Sequence, residues 1–150
     1  MSLLHVSHSS RSAASKAAAG ARAAERTPQR ISHRDLVARV SAFVRDNIRE
    51  PVTVAELSRM AGVSERTLRA AFHDTVGLSP KRYAIAQRLQ AAHAALANAG
   101  PGTTTVTDVA MTFGFFELGR FAGRYRSAFG EVPSQTLQHA TTASRPEQAA

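Results

Sequence analysis

The chain has 150 residues, a formal net charge of +8 and no cysteine. The length suffices for one domain with a hydrophobic core, and the excess of Lys and Arg favours an anionic partner, most simply nucleic acid. Without cysteine, disulfides, thiolate metal sites and a cysteine nucleophile are excluded, and no apolar run approaches the ~20 residues that a membrane helix needs.

The first segment, residues 1–31, is rich in Ala, Ser and Arg and lacks a continuous apolar face. This composition is typical of a flexible basic arm, which would add nonspecific affinity for nucleic acid. Two other interpretations stay open. The segment is a remnant without function, or an organelle transit peptide, whose acid-poor composition it shares.

A first helix is predicted from Ser32, which forms a capping box with Asp35. Apolar residues then recur at helical spacing: Leu36, Val40, Phe43, Val44 and Ile48. Pro51 ends the segment. Because this helix has no obvious recognition face, we expect it to brace the unit that follows.

Residues 52–77 predict two short helices joined by a glycine turn. Thr53 and Glu56 form a capping box, Gly62 stands where a helix end needs a left-handed residue, and Ser64 can cap a second helix. The second helix has an apolar face of Leu68, Ala71, Phe72 and Val76 and a basic face of Arg66, Arg69 and His73, and Gly77 ends it. This pattern is typical of a helix-turn-helix unit, whose second helix enters the DNA major groove.

A long connector helix is predicted over residues 79–98, with Ser79 as cap and Pro80 at its first position. Its buried side is predicted to consist of Tyr83, Ala86, Leu89, His93 and Leu96. Twenty helical residues span about 30 Å, close to the ~34 Å of one DNA turn. The connector could therefore hold two units in successive major grooves.

Residues 105–130 repeat the first unit. Thr53 aligns with Thr105 and, after one inserted residue, Gly77 aligns with Gly130. The fold is therefore predicted to be all-α, with about seven helices in two helix-turn-helix subdomains joined by the connector. The domain is predicted over residues 32–138, followed by a flexible tail over 139–150.

The paired units resemble the DNA-binding domain of AraC/XylS-type transcription regulators over about residues 33–138. The resemblance is carried by GVSERTLRAAFHDTVGLSP and VTDVAMTFGFFELGRFAGRYRSAFGEVPSQTL. It implies a bacterial, cytoplasmic and nucleoid-associated regulator that binds double-stranded DNA as a monomer, with RNA polymerase as a further candidate partner. Family members usually carry a second domain. Whether this chain is a fragment or a standalone regulator stays open.

By position, the resemblance implies base contacts from the outer faces of the two recognition helices: Arg66, Arg69, Leu118, Gly119 and Arg120. Arginine suits guanine because its planar fork can donate to O6 and N7 together. Phosphate contacts are predicted at Thr53, His73, Lys81, Arg82, Thr105, Arg124 and Arg126. Ala70 and Gly123 stand where such proteins commonly have a basic residue, which leaves the details of base recognition open.

Glu65 and Glu117 open the two recognition helices. A glutamate there complements the helix dipole or accepts a hydrogen bond from cytosine N4.

The chain shows no Ser/His/Asp order, no phosphate loop and no histidine set with metal-ligand spacing, so no enzyme, cofactor or metal site is expected. Two alternatives to sequence-specific DNA binding remain. One is a protein-interaction module that titrates a partner regulator or a polymerase subunit. The other is a fragment of a methyl-transfer DNA repair protein, whose usual acceptor cysteine is missing.

Overall fold

The structure is a computed structural model that describes residues 30–144. Within this range the chain forms seven α-helices and no strand. They are α1 His33–Asp46, α2 Val54–Ala61, α3 Glu65–Val76, α4 Pro80–Ala97, α5 Val106–Thr112, α6 Leu118–Phe129 and α7 Pro133–Ala143. The all-α prediction with two short-helix units and a connector is confirmed. All but the last two residues of the predicted arm lie outside the described residues.

The two units begin with the same reciprocal cap. The Thr53 hydroxyl accepts from the Glu56 amide (3.2 Å), and the Thr53 amide donates to the Glu56 carboxylate (2.7 Å). Thr105 and Asp108 repeat both bonds at 3.1 and 3.2 Å. The bond from the Thr53 amide is the main reason why the pKa of Glu56 lies below its ordinary value of 4.5.

The first hydrophobic core lies among α1, α2, α3 and the start of α4. Its fully enclosed members include Leu36, Val40, Leu57, Leu68 and Phe72. The predicted brace is confirmed, since α1 packs on both α2 and α3. Val76, predicted on the buried face of α3, is instead exposed, because residues 73–79 all lie at the solvent-facing end of this unit.

The second core lies among α4, α5, α6 and α7 and is mainly aromatic. Its buried members are Leu89, Ala92, Leu96, Val109, Ala110, Phe115, Phe121 and Tyr125. Phe115, Phe121 and Tyr125 form a run of ring contacts with centroids 5.0 and 5.6 Å apart. Phe115 and Phe121 are thus core residues.

The connector helix α4 belongs to both cores, and its buried side differs from the prediction. Leu89 and Leu96 are buried as expected, but Tyr83, Ala86 and His93 are only half-buried. The buried set instead includes Ala84, Arg88 and Ala92. The reason is that helices from both units pack on α4, so its buried residues do not lie on one stripe.

The C-terminal boundary also differs from the prediction. A tail was expected from residue 139, but α7 continues to Ala143. Pro133 is favourable in the first turn of a helix, and Thr136 and Ala140 are buried on the second core. Packing of this face extends the helix through a stretch whose composition alone suggests solvent exposure. Among the described residues, no helix is both long and apolar enough to cross a membrane.

Candidate nucleic-acid interface

The first recognition helix, α3, presents its basic residues from a well-capped start. The Ser64 hydroxyl accepts from the Thr67 amide at 3.1 Å, which satisfies one of the free amides of the first turn. Arg66 and Arg69 both project from the exposed surface of this turn and the next. Arg69 donates to Glu65 at 2.6 Å, whereas Arg66 makes no ion pair with any described residue.

The second recognition helix, α6, starts differently. Its cap residue, Glu117, makes no side-chain hydrogen bond to the helix backbone. The Glu117 carboxylate instead pairs with Arg120, with Nε at 3.1 Å. The predicted base-contacting residues of this unit, Leu118, Gly119 and Arg120, are all exposed in the first turn.

Both units therefore hold a predicted base-contacting arginine against a glutamate at the start of the same helix. Sequence reasoning considered Glu65 and Glu117 as partners of the helix dipole or of cytosine and missed this pairing. The i,i+4 and i,i+3 spacings were the available signal. Exposed ion pairs of this kind contribute about 0–1 kcal/mol. The pairs therefore orient the two arginines at little cost to their release.

Three of the predicted phosphate-contacting residues come together from two elements. Lys81 and Arg82, in the first turn of α4, line an open groove of about 830 Å³ with Arg124 of α6. Sequence analysis predicted each cation singly and had no means to place them on one groove. His73 and Arg126 are exposed on other surfaces and do not line it.

The backbone amides of Thr53 and Thr105 are already occupied. Each donates to the carboxylate of its own capping box, which places a negative charge at the helix start. A DNA phosphate would have to displace Glu56 or Asp108 to use these amides. This geometry disfavours the phosphate contacts predicted at these two threonines.

Arg88 is the main site residue that sequence reasoning missed. It is buried on α4, with only 7% of its surface exposed, and Nη1 donates to the carbonyl oxygens of Phe113 and Gly114 at 3.3 and 3.2 Å. Its guanidinium also lies 4.9 Å from the centre of the Phe115 ring. Burial lowers the pKa of Arg88, and the nearby Arg124 cation lowers it further. Arg88 therefore holds the turn that precedes the second recognition helix.

Comparison with known proteins identifies the arrangement. A family model described as a helix-turn-helix domain matches residues 57–139. A solved structure of a probable AraC family transcriptional regulator from Rhodopseudomonas palustris CGA009 is 41% identical, with a TM-score of 0.66 over 71% of this chain and 98% of that chain. The chain belongs to the AraC/XylS family of helix-turn-helix DNA-binding domains. It is part of a transcription regulator family, not an enzyme family.

Two further proteins that are similar to this chain bear on function. The XylDLEGF operon transcriptional activator 3 of Pseudomonas putida is 38% identical over 100 residues, which are 67% of this chain and 30% of that protein. The chain thus spans less than a third of that relative. The DNA-binding domain of AdpA, solved in complex with a target DNA, is 27% identical with a TM-score of 0.63 and covers 73% of this chain and 96% of that domain.

Proposed function

We propose that this AraC/XylS domain binds a specific double-stranded DNA site by placing α3 and α6 in successive major grooves. The observation that carries the proposal is duplication. One helix-turn-helix unit precedes α4 and a second follows it, and both begin with a threonine capping box and contain a left-handed glycine in the turn. With 18 residues, α4 is about 27 Å long, comparable with the ~34 Å between successive major grooves on one face of the duplex.

Base edges are contacted by exposed residues in the first two turns of α3 and the first turn of α6. Arg66 and Arg69 contact one half-site, and Leu118, Gly119 and Arg120 contact the other. Arg69 and Arg120 contact guanine O6 and N7, either with N–H donors that the glutamate leaves free or by exchanging the glutamate for the base. The two half-sites differ, because the two helices present different side chains.

Phosphates are contacted by the cations around the recognition helices. Lys81, Arg82 and Arg124 bind one stretch of backbone along their shared groove, and His73 and Arg126 bind further phosphates. Such contacts set the register of the protein on the duplex without discriminating among sequences. Thr53 and Thr105 are left out of this set, because their amides are engaged in the capping boxes.

The domain is proposed to bind as a monomer, since one chain already supplies base-contacting residues for two different half-sites. RNA polymerase is a proposed partner, because relatives are named as operon activators. A function at promoters places the protein with the bacterial nucleoid in the cytoplasm.

The test is selection of binding sequences from random duplexes, followed by footprinting and salt titration on the selected site. We expect one asymmetric footprint of about two helical turns and an affinity that falls with salt by a log-log slope of roughly −0.9 per phosphate contacted. If no sequence is enriched at low salt, the proposal fails and the interaction-module alternative is favoured.

A further inference from the structure

The turn of the second unit contains one residue that the first unit lacks. In the first unit the Val63 amide donates to the Ser58 carbonyl oxygen at 3.1 Å, and in the second unit the Phe115 amide donates to the Ala110 carbonyl oxygen at 2.9 Å. These two bonds align Val63 with Phe115. The next residue of the first unit, Ser64, already caps α3.

In the second unit the helix cap comes one residue later, at Glu117. Phe116 is therefore the inserted residue, and it has no counterpart in the first unit. Its neighbours in the chain show why it has no place in the core. The Phe115 ring fills the site that corresponds to Val63, and Phe116 is left with 66% of its surface exposed.

An exposed apolar side chain is common by itself and needs no explanation. The position of Phe116 distinguishes it from other exposed residues. Leu118, two residues later in the first turn of α6, is also exposed, at 42%. Phe116 further lines a small cavity of about 140 Å³ together with Arg120 and Arg124. Phe116 thus lies beside arginines, and both apolar side chains lie at the end of the helix that enters the groove in helix-turn-helix proteins.

The major groove offers one apolar group to such residues, the C5 methyl of thymine. We propose that Phe116 and Leu118 contact thymine methyl groups in the second half-site, and so make this unit selective for thymine as well as guanine. The inference rests on the proposed function. An apolar protein partner is less well supported, because the same cavity carries three arginines against one glutamate, a net positive charge that suits a polyanion.

The experiment replaces each thymine of the selected duplex, one at a time, by uracil, which lacks only the methyl group. We expect the wild-type chain to bind about fourfold more weakly when a contacted methyl is removed, the equivalent of one buried methylene. The loss should occur at one or two thymines of one half-site. This first measurement uses only the wild-type chain and is therefore independent of any folding defect in a variant.

The second measurement compares the affinities of variants for the thymine and uracil duplexes. Phe116→Ala or Leu118→Ala should bind the thymine duplex more weakly and lose the preference for thymine over uracil. Met111→Ala is the matched control, because Met111 is an apolar residue of the same unit, 50% exposed but outside the recognition helix. It should keep the full preference.

Specific binding without any uracil effect, or a uracil effect that both Phe116→Ala and Leu118→Ala retain, overturns this inference and leaves the proposed function standing. Failure to bind any selected sequence overturns both.

Discussion

At the scale of single residues, Gly114 shows how a turn residue can serve two purposes. Its φ of +73° requires a left-handed backbone, which favours glycine. A Cβ there would also lie 2.9 Å from Pro51 Cδ, 3.1 Å from Arg88 Nη1 and 3.2 Å from the Arg49 carbonyl oxygen. The equivalent Gly62 has the same conformation, with a φ of +70°, and open space around it.

We therefore expect Gly114→Ala to destabilise the domain more than Gly62→Ala. The shared backbone strain costs about 1–2 kcal/mol, and the clash at Gly114 adds about 1–3 kcal/mol. Chemical denaturation of both variants measures the difference in free energy of unfolding. Equal losses would show that the segment around Pro51 moves aside freely.

Glu56 provides a prediction for the pH dependence of stability. Its pKa is lower in the folded chain than the ordinary 4.5, chiefly because the Thr53 amide donates to its carboxylate. A lowered pKa stabilises the fold when the group is ionised, so the contribution is complete at pH 7 and is lost as the pH falls through the folded pKa, below 4.5. Glu56→Gln should therefore melt below the wild type at pH 7, and the two melting temperatures should converge as the pH falls below 4.5.

The charge-matched control for this measurement is Glu50→Gln, at an exposed glutamate between α1 and α2. A difference in melting temperature between Glu56→Gln and the wild type that stays the same from pH 7 to pH 3 would contradict a role for the carboxylate charge.

At the scale of elements, a chain of hydrogen bonds ties the second recognition helix to its neighbours. The Tyr125 hydroxyl of α6 donates to Thr136 of α7 at 2.8 Å, and Thr136 donates to Glu131. His93 Nδ1 of α4 lies 2.6 Å from the Tyr125 oxygen. Since the tyrosine proton is already used, the consistent pattern has Nδ1–H donating to Tyr125. Three helices are thus joined through one buried hydroxyl.

Tyr125→Phe should destabilise the domain by about 1–3 kcal/mol, because it removes the hydrogen bonds to buried Thr136 and half-buried His93 while the ring is kept. Tyr83→Phe is the control, as Tyr83 is only half-buried and packs edge-on against Phe72 with ring centroids 5.3 Å apart. Thermal unfolding should show a clear loss for Tyr125→Phe and little change for Tyr83→Phe. Similar curves for both would mean that water replaces the lost hydroxyl.

At the scale of the whole molecule, the two units are alike in architecture and different in surface. Both have the same cap, left-handed turn and aromatic core position. The first presents Arg66 and Arg69 on its recognition helix, whereas the second presents Arg120 between glycines and the exposed residues Phe116 and Leu118. Polar discrimination among bases should therefore come mainly from the first unit.

Arg69→Ala should accordingly cost about 1–3 kcal/mol on the selected site and relax the preference at one base pair. Arg126→Ala should weaken selected and scrambled duplexes about equally and reduce the salt slope by about one phosphate contact. Titration of both variants on both duplexes at two salt concentrations separates the roles. The assignment is reversed if Arg126→Ala alters base preference while Arg69→Ala affects both duplexes alike.

The sequence by itself determined the features that depend on short-range chemistry. Caps such as Thr53 with Glu56, left-handed glycines such as Gly62 and the core spacing of each unit follow from local backbone and packing rules. The internal repeat then indicated two units and the family resemblance. The helices, the connector and the fold class were predictable for this reason.

Tertiary structure decided what depends on which surfaces meet. Arg88 is buried because α4 is covered from both sides, a fact that no single helical pattern contains. α7 reaches Ala143 because its buried face, which includes Ala140, packs on α4, α5 and α6. Phe116 became recognisable as the inserted, exposed residue only once hydrogen bonds showed that Phe115 takes the core position. Local rules specify each element, but burial and the grouping of charges arise from contacts between residues distant in sequence.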